Sequence, residues 1–430
     1  MQQNEVVVLR PPESFAARAR QEPALCLIAT CQTWSSTTFL PALLVGAGAA
    51  VSAFSPGPLG LGRDVSERFR CSREPAKAAD QLRALLEWRT FDLIVVADEL
   101  LLRALVDCDD PFAASRWLPV SPSDRGALEL VLSKHAFVER ASELGIDVPE
   151  SRLAFSVCEA AARAAEIGYP VVLKGDRGFG GLEVGIARDA TALKRIGLEL
   201  LAIYPRILVQ RHISGDRISV CALYQHGKLT AYKAYRAECT YPDNQSASTV
   251  HEFFSHPSIE STLQTLGEAT GFHGMAGVDF MYENERDTLY ALEINPRPTI
   301  GFAGTSAGRD FFSPAIARFL RHDVPAVPAA YDGREPTQSY FPGYLFYLAT
   351  TGALHGPRAY ARLTACLREI RLREWRLIFW ESARFLYDSI GRVVRSLSRA
   401  PALPRQLDVA MVVAPVNREE KHIFPHVSPS

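Results

Sequence analysis

The sequence predicts a mixed α/β (α+β) chain. An N-terminal parallel-sheet unit precedes two smaller α+β units and a helical C-terminal extension. Three observations carry that prediction. Between residues 24 and 98, short apolar runs alternate with helical stretches, the pattern of a parallel sheet. Between residues 121 and 323, helical patterns alternate with strand-like runs closed by glycine or polar turns. Beyond residue 323 the sequence becomes Pro-rich and then Arg-rich. The corresponding units are expected at residues 1–120, 121–205, 206–323 and 324–430.

In the first unit, ALCLIAT (24–30) is a short apolar run of the kind buried on both faces of a parallel sheet. A helix-like stretch follows over 39–44, and AAVSAF (49–54) and FDLIVVAD (91–98) read as further strands. Ligands of such a sheet sit beyond the carboxyl ends of its strands, and the loop PGPLGLG (56–62) leaves one of them. In the second unit, residues 127–144 show helical spacing, and GIDVP (145–149) ends the helix with Gly and then Pro. Ser156 opens an Ala-rich helix over 156–167. PVVLKGD (170–176) is a strand, GFGG (178–181) a loop, and EVGIA (183–187) another strand.

The third unit begins with ILVQRHI (207–213), a strand that runs into a turn at SGD. Two antiparallel strands follow, joined at His226-Gly227. Residues 258–271 are helical, and AGVDFMY (276–282) and TLYALEINPRP (288–298) pair around the polar turn ENERD. VPAVPAAYDGREPTQ reads as a linker or wrap. Residues 358–399 hold ten Arg against four acidic residues, with Trp375, Phe379, Leu386, Ile390, Val393 and Leu397 near helical spacing. An amphipathic segment packed on the preceding units is favoured there over a membrane-surface helix.

Composition bounds the function. The 430 residues exceed one compact core, and 47% apolar with 22% charged residues permits a sizeable core and a polar surface. A formal net charge of −1 gives no reason to expect nucleic-acid or membrane partners. The N-terminus lacks a signal-peptide pattern, and the weakly polar run 39–54 is short for a membrane span, so a cytoplasmic location is expected. The eight cysteines are scattered, without a CxxC pair or zinc spacing, and read as reduced thiols.

Three signals bear on chemistry. In LEINPRP (292–298), Glu293, Asn295 and Arg297 recur every second residue and share one strand face. A carboxylate and an amide oxygen suit Mg²⁺, and an arginine beside them suits phosphate. An antiparallel GVDF strand would bring Asp279 to the same face. The triplet alone is short enough to arise by chance. In PVVLKGDRGFGG, Lys174 precedes a loop whose backbone N–H groups at Gly178, Gly180 and Gly181 can wrap phosphate oxygens. The loop is neither a Walker P-loop nor a dinucleotide fingerprint, and on its own it reads equally as a turn. VQRHISGD could offer backbone groups to an adenine edge, or be an ordinary strand and turn.

The order of these signals, with Lys134 standing before them, resembles the ATP-grasp superfamily over roughly residues 24–320. The likeness is to carboxylate–amine ligases related to carbamoyl-phosphate synthetase. It implies an ATP-grasp fold preceded by a pre-ATP-grasp domain. LSKHAFVERASELGIDVP is similar to the helix whose lysine contacts nucleotide phosphate, which gives Lys134. PVVLKGDRGFGG is similar to the strand and lid over ATP. Gln210, Arg211, His212 and Ile213 would lie along adenine. The family often has Glu at Arg211 and an acid at Arg217, and Asp216 would take the ribose contact. GVDF and LEINPR imply Asp279, Glu293 and Asn295 as metal ligands and Arg297 as the phosphate-contacting arginine.

The resemblance implies transfer of the ATP γ-phosphoryl group to a carboxylate, with Mg²⁺ (Mn²⁺ as a substitute). An amine would then attack the acyl phosphate to form an amide or peptide-like bond. Lys174 and Arg297 are the expected catalytic groups, with Arg236 beside the acceptor pocket. The alternatives are an ATP-dependent carboxylase, a phosphotransferase on the same fold, or a non-catalytic ATP-binding module. The expected partners are a small-molecule carboxylate and amine. The sequence leaves oligomeric state open, and membrane contact by the C-terminal extension is not expected.

Overall fold

The computed structural model describes residues 23–32, 37–57, 59, 62–106, 119–120, 124–177, 184–240, 248–303, 311–335, 337–340, 343–352, 356–372, 379, 382–383, 386–387 and 390. Among these residues three sheets organise the chain. The first contains β1 (Ala24–Ala29), β2 (Ala49–Phe54), β3 (Val65–Phe69) and β4 (Leu93–Val96), all parallel in the order β3-β2-β1-β4. Helices α1 (Leu40–Gly46), α2 (Pro75–Trp88) and α3 (Glu99–Val106) connect and follow them. Leu27 and Ala29 face one core while Cys26 and Ile28 face another, so β1 is apolar along its whole length. β3 escapes apolar patterning because VSERF is an edge strand that exposes alternate residues.

Residues 127–144 do not form the single helix expected from their spacing. They split into α4 (Arg125–Leu132) and α5 (Lys134–Glu143) at Ser133. Ser133 has extended backbone angles, and its hydroxyl caps α5 by accepting from the Ala136 N–H at 3.2 Å. Gly145, at φ +76°, turns the chain after α5 as expected.

The second sheet is antiparallel throughout: β5 (Ser151–Ala154), β6 (Val171–Gly175), β7 (Val184–Ala187) and β8 (Ile207–Arg211), in the order β5-β8-β6-β7. It is covered by α6 (Val157–Ile167) and α7 (Ala190–Leu201). Side chains of Ser156 and Asp189 cap those helices.

The third sheet is the largest. It contains β9 (Asp216–Gln225), β10 (Lys228–Thr240), β11 (Ser248–Phe253), β12 (Gly274–Glu283) and β13 (Thr288–Asn295). Helix α8 (Ser258–Thr270) lies between β11 and β12 in the chain, and α9 (Phe312–Leu320) follows β13. Positive φ at His226 (49°) and Gly227 (81°) closes the β9–β10 hairpin where the sequence predicts it. The Pro-rich stretch then wraps back: β14 (Ala329–Ala330) pairs with β10, and β15 (Thr337–Ser339) pairs with β11. The sheet order is β13-β12-β9-β10-β11-β15, so the sheet runs across the 323/324 boundary expected from composition.

Strand alternation gives this sheet two unlike faces. Ile218, Val220, Ala222 and Tyr224 point to the side of α8, where Ile259, Leu263 and Leu266 cover them. Cys221, Leu223 and Tyr235 point to the other side, against Phe302, Phe312 and the N-terminal sheet. Helices α10 (Gly343–Thr351) and α11 (Gly356–Leu372) close the described chain, and Cys366 and Leu363 pack against Cys239 and Val250. Further on, Phe379, Leu386 and Ile390 are exposed, so the expected packing of that stripe is not met at these three positions. Trp375, Val393 and Leu397 lie outside the described residues. Among the described residues no helix is long and apolar enough to cross a membrane.

Candidate active site

The site is built on the β12–β13 pair. Asp279 stands directly opposite Glu293, and Gly277 opposite Asn295. The two-residue period then puts all three oxygen-bearing side chains on one face. On the next strand Ser219 is opposite Asp279, and its hydroxyl donates to Asp279 Oδ1 at 2.6 Å. Asn295 Nδ2 donates to Asp279 Oδ2 at 2.9 Å. Arg297, just past β13, approaches Asn295 Oδ1 at 3.5 Å through Nη2. Gly277 leaves the room this needs, because a Cβ there would stand 2.5 Å from Thr299 Cγ2.

Two lysines reach the same face from other elements. Lys134, the first residue of α5, places its ammonium 2.7 Å from Glu293 Oε2. Lys174 is buried on β6 and shares the electrostatic field of Glu293, Asp279 and Lys134. Asp176 ties these elements together. Its Oδ1 accepts from Ser133 Oγ at 2.8 Å and from the His135 N–H at 2.9 Å, and its carbonyl accepts from the Lys134 N–H at 3.0 Å. Arg206 Nε donates to its Oδ2 at 2.7 Å. The turn after β6 therefore fixes the start of α5, and with it Lys134.

Burial and charge set the protonation states. Burial pushes the Lys174 pKa down, reinforced by Lys134 and opposed by Glu293 and Asp279, to about 8. Burial also opposes the charge on Lys134, but the ion pair with Glu293 outweighs it and holds that lysine above its ordinary range. Burial would raise Glu293, yet Lys134 and Lys174 pull it below the usual carboxylate value. Burial, followed by repulsion from Glu293, raises Asp279. The face thus pairs an anionic Glu293 with two ammonium groups, an arrangement ready to exchange partners with phosphate and a cation.

Comparison with known proteins identifies this architecture. The family model described as "ATP-grasp domain" matches residues 131–301. Those residues are an ATP-grasp domain.

Relatives and solved structures agree with that assignment. The chain is 23% identical over 266 residues to a carbamoyl-phosphate synthase of Methanobrevibacter smithii, covering 57% of this chain and 71% of that one. It is 25% identical over 229 residues to the C-terminal section of a carbamoyl phosphate synthase large chain of Methanopyrus kandleri, covering 49% and 41%. It spans only 17% of the Campylobacter jejuni large chain. In fold it resembles the biotin carboxylase domain of Hydrogenobacter thermophilus 2-oxoglutarate carboxylase, solved with MgADP, ADP and bicarbonate. There the TM-score is 0.57 at 16% identity, covering 72% of each chain. It also resembles an L-amino acid ligase of Bacillus licheniformis, at TM-score 0.53 and 15% identity, covering 75% and 81%.

Within the ATP-grasp domain, Lys134, Lys174, Asp279, Glu293, Asn295 and Arg297 converge as expected from sequence. Others do not. Arg236 lies on the opposite, α8-facing side of the sheet, because it alternates with Tyr235, whose ring faces Cys221. There it sits 3.1 Å from Asp216 Oδ2 and 3.5 Å from Glu252 Oε2. Asp216 shares that face two residues before Ile218, so its carboxylate is engaged by Arg236 instead of standing beside the cluster.

The adenine-edge expectation also narrows. β8 is an inner strand that pairs with both β5 and β6, and the Gln210 side chain donates to Ser151 Oγ at 2.9 Å. The Arg211 and His212 N–H groups bond Glu150 O and Pro170 O, while the Arg211 guanidinium stacks over Tyr290. Ile213 is buried at the strand's exit. Gly178, Gly180 and Gly181 lie outside the described residues.

Sequence reasoning missed Asp176, Ser219 and Glu99. Glu99 stands just past the carboxyl end of a recognised parallel strand, and the rule that ligands gather there is the signal that points to it, whereas Asp176 follows a strand of an antiparallel sheet, where that rule does not apply. Ser219 had no such signal, since its place beside Asp279 depends on register. A cavity of about 470 Å³ opens elsewhere, between α9 and β14, lined by Phe311, Ala315 and Tyr331. It touches none of the cluster, whose chemistry is the better guide.

Proposed function

We propose that this chain is an ATP- and magnesium-dependent ligase that activates a carboxylate as an acyl phosphate for attack by an amine. The observation that carries the reading is the convergence of Asp279, Glu293, Asn295, Lys134, Lys174 and Arg297 on one sheet face. The donor set suits the cation. Two carboxylates and an amide oxygen are hard ligands, the preference of Mg²⁺, with Mn²⁺ as a substitute. Among the described residues no group of three His, Cys, Asp or Glu side chains forms a richer metal site. When bound, the cation supplies charge neutralisation at the phosphates.

The chain's own residues supply the rest. Lys134 and Lys174 present ammonium groups to the phosphates, and Lys134 leaves Glu293 to do so. Arg297 places a planar fork beside Asn295 for the transferred phosphoryl group. A substrate carboxylate oxygen attacks the γ-phosphorus and ADP leaves. The amine nitrogen then bonds to the acyl carbon, the carbon–oxygen bond to phosphate breaks, phosphate takes the electron pair, and nitrogen gives up a proton. The fixed cations need no rearrangement as charge develops, which is where preorganised sites gain most. The described cysteines form no disulfide with one another and are mostly buried, which fits a reducing compartment, and we place the chain in the cytoplasm.

The test is ADP release from purified protein with Mg²⁺, ATP and pooled carboxylates and amines, with bicarbonate as a separate arm. Release that needs both an acid and an amine supports the ligase. Release that needs bicarbonate and no amine supports a carboxylase. Glu293→Ala is expected to lower turnover by at least about a thousandfold, the scale set by losing a charged transition-state contact. Normal turnover in that variant would refute the site.

A further inference from the structure

The carboxyl end of the N-terminal sheet meets the cluster where Glu99 approaches Arg297. β2 and β4 flank β1 on opposite sides, so the strand order reverses between β1 and β4. Open α/β sheets take ligands at such reversals. Thr30 and Cys31 follow β1, and Asp98 and Glu99 follow β4. Asp98 is fully engaged. It accepts from Thr30 Oγ1 at 2.7 Å, the Cys31 N–H at 2.7 Å and the Leu101 N–H at 2.8 Å, and it receives the Cys31 thiol at 3.5 Å. The neighbouring Glu99 is different. Its residue is 8% exposed, its Oε1 lies 3.7 Å from Arg297 Nε, and its Oε2 has no hydrogen-bond partner among the described residues.

We propose that Glu99 binds the amine of the nucleophilic substrate, an inference that rests on the ligase reading. A carboxylate oxygen accepts hydrogen bonds, and Oε2, buried without one among the described residues, is complemented best by an N–H donor. Glu99 is joined to the cluster through one guanidinium: Arg297 contacts it through Nε and reaches Asn295 Oδ1 through Nη2 at 3.5 Å. An ammonium on Oε2 therefore waits beside the arginine that faces the phosphoryl group, and its nitrogen can attack once one proton has passed to the Glu99 carboxylate. The three sheets divide the work. The ATP-grasp sheets hold nucleotide and cation, and the end of the parallel sheet holds the nucleophile.

The first arm of the test needs no turnover. Saturation-transfer NMR on MgADP-loaded protein compares n-butylammonium with n-butanol. The wild type is expected to bind the ammonium and not the alcohol, and Glu99→Gln to lose the ammonium signal while Glu99→Asp retains part of it. The second arm uses the acid found active by ADP release. Glu99→Gln is expected to raise KM for the amine roughly ten- to hundredfold, the scale of a charge-assisted hydrogen bond. Hydroxamate formation with hydroxylamine, uncharged at neutral pH, is expected to fall by a clearly smaller factor than ligation of the amine, because no ammonium needs a carboxylate there. Equal losses with both nucleophiles would show that Glu99 acts only by positioning Arg297, and would overturn the proposal. So would an unchanged amine KM, or a wild type that does not bind the ammonium probe. Glu99-dependent ammonium binding without hydroxamate from any acid would uphold the amine site and refute the ligase reading.

Discussion

Replacing Asp176 with alanine tests whether the turn after β6 positions Lys134. The Asp176 carboxylate is 1% exposed and accepts from Ser133, His135 and Arg206. Burial alone would raise its pKa, but those three donors hold it below the usual carboxylate value. Hydrogen bonds to a charged group contribute about 1.5–3 kcal/mol each. Arg206 is one-third exposed and regains water when its partner goes, so the three do not sum in full. The expected loss for Asp176→Ala is about 3–5 kcal/mol, the range for removing one partner of a buried ion pair. Asp176→Asn keeps an acceptor for Ser133 and His135 and is expected to cost about 1–2 kcal/mol.

The sign of the pH dependence follows from the depressed folded pKa. The Asp176 contribution is fully present above the unfolded carboxylate pKa, and it is lost as pH falls through the lower folded value. The gap between wild type and Asp176→Asn is therefore widest at neutral pH and closes in acid. The assay is urea unfolding followed by circular dichroism, paired with MgATP affinity at a temperature where the variant is folded. Asp176→Ala is expected to lower both the midpoint and the affinity, since the start of α5 carries Lys134. An unchanged midpoint with unchanged affinity would refute the reasoning.

Other outcomes follow from the same geometry. Arg236→Met is expected to cost at most about 1 kcal/mol and to leave turnover and the KM for ATP within about twofold, because the side chain is half-buried among Asp216 and Glu252 on the α8 face. A tenfold fall in kcat would bring Arg236 back to the site. Mg²⁺ without nucleotide is expected to bind at least about tenfold more weakly than with ATP, because the Lys134 ammonium occupies Glu293 Oε2. Calorimetry on Lys134→Met should show tighter binding of the free metal, and no gain would argue against that competition. His273 accepts from the His226 N–H through Nδ1, and burial, then His226 and His322, lower its pKa to about 4. Its depressed pKa means that up to about 3 kcal/mol of stability is lost as pH falls from about 6.5 to 4. Denaturant melts of His273→Gln should show a flatter slope in that window, and parallel slopes would refute the assignment.

Some of this protein could be read without coordinates because its signals are local. LEINPRP placed Glu293, Asn295 and Arg297 on one face through the strand period alone, and GVDF needed only an antiparallel partner to bring in Asp279. His226-Gly227 announced its hairpin, and Gly145 announced the end of α5. The helix over 127–144 was misjudged because periodicity ignores a single capped residue. Ser133 breaks the helix with a hydroxyl whose partner, Asp176, is 43 residues away.

The sequence by itself determined the strands that carry the oxygen ligands, the order of the lysines before them and the apolar core of the N-terminal sheet, because each follows from a period or a short pattern. Only the tertiary structure decided which charged groups meet. It joined Lys134 to Glu293 and placed Glu99 beside Arg297, pairs separated by more than a hundred residues. It also turned Arg236 and Asp216 to the far side of the sheet. A side chain's neighbours across a fold depend on register and strand order, and one residue of shift sends it to the opposite face.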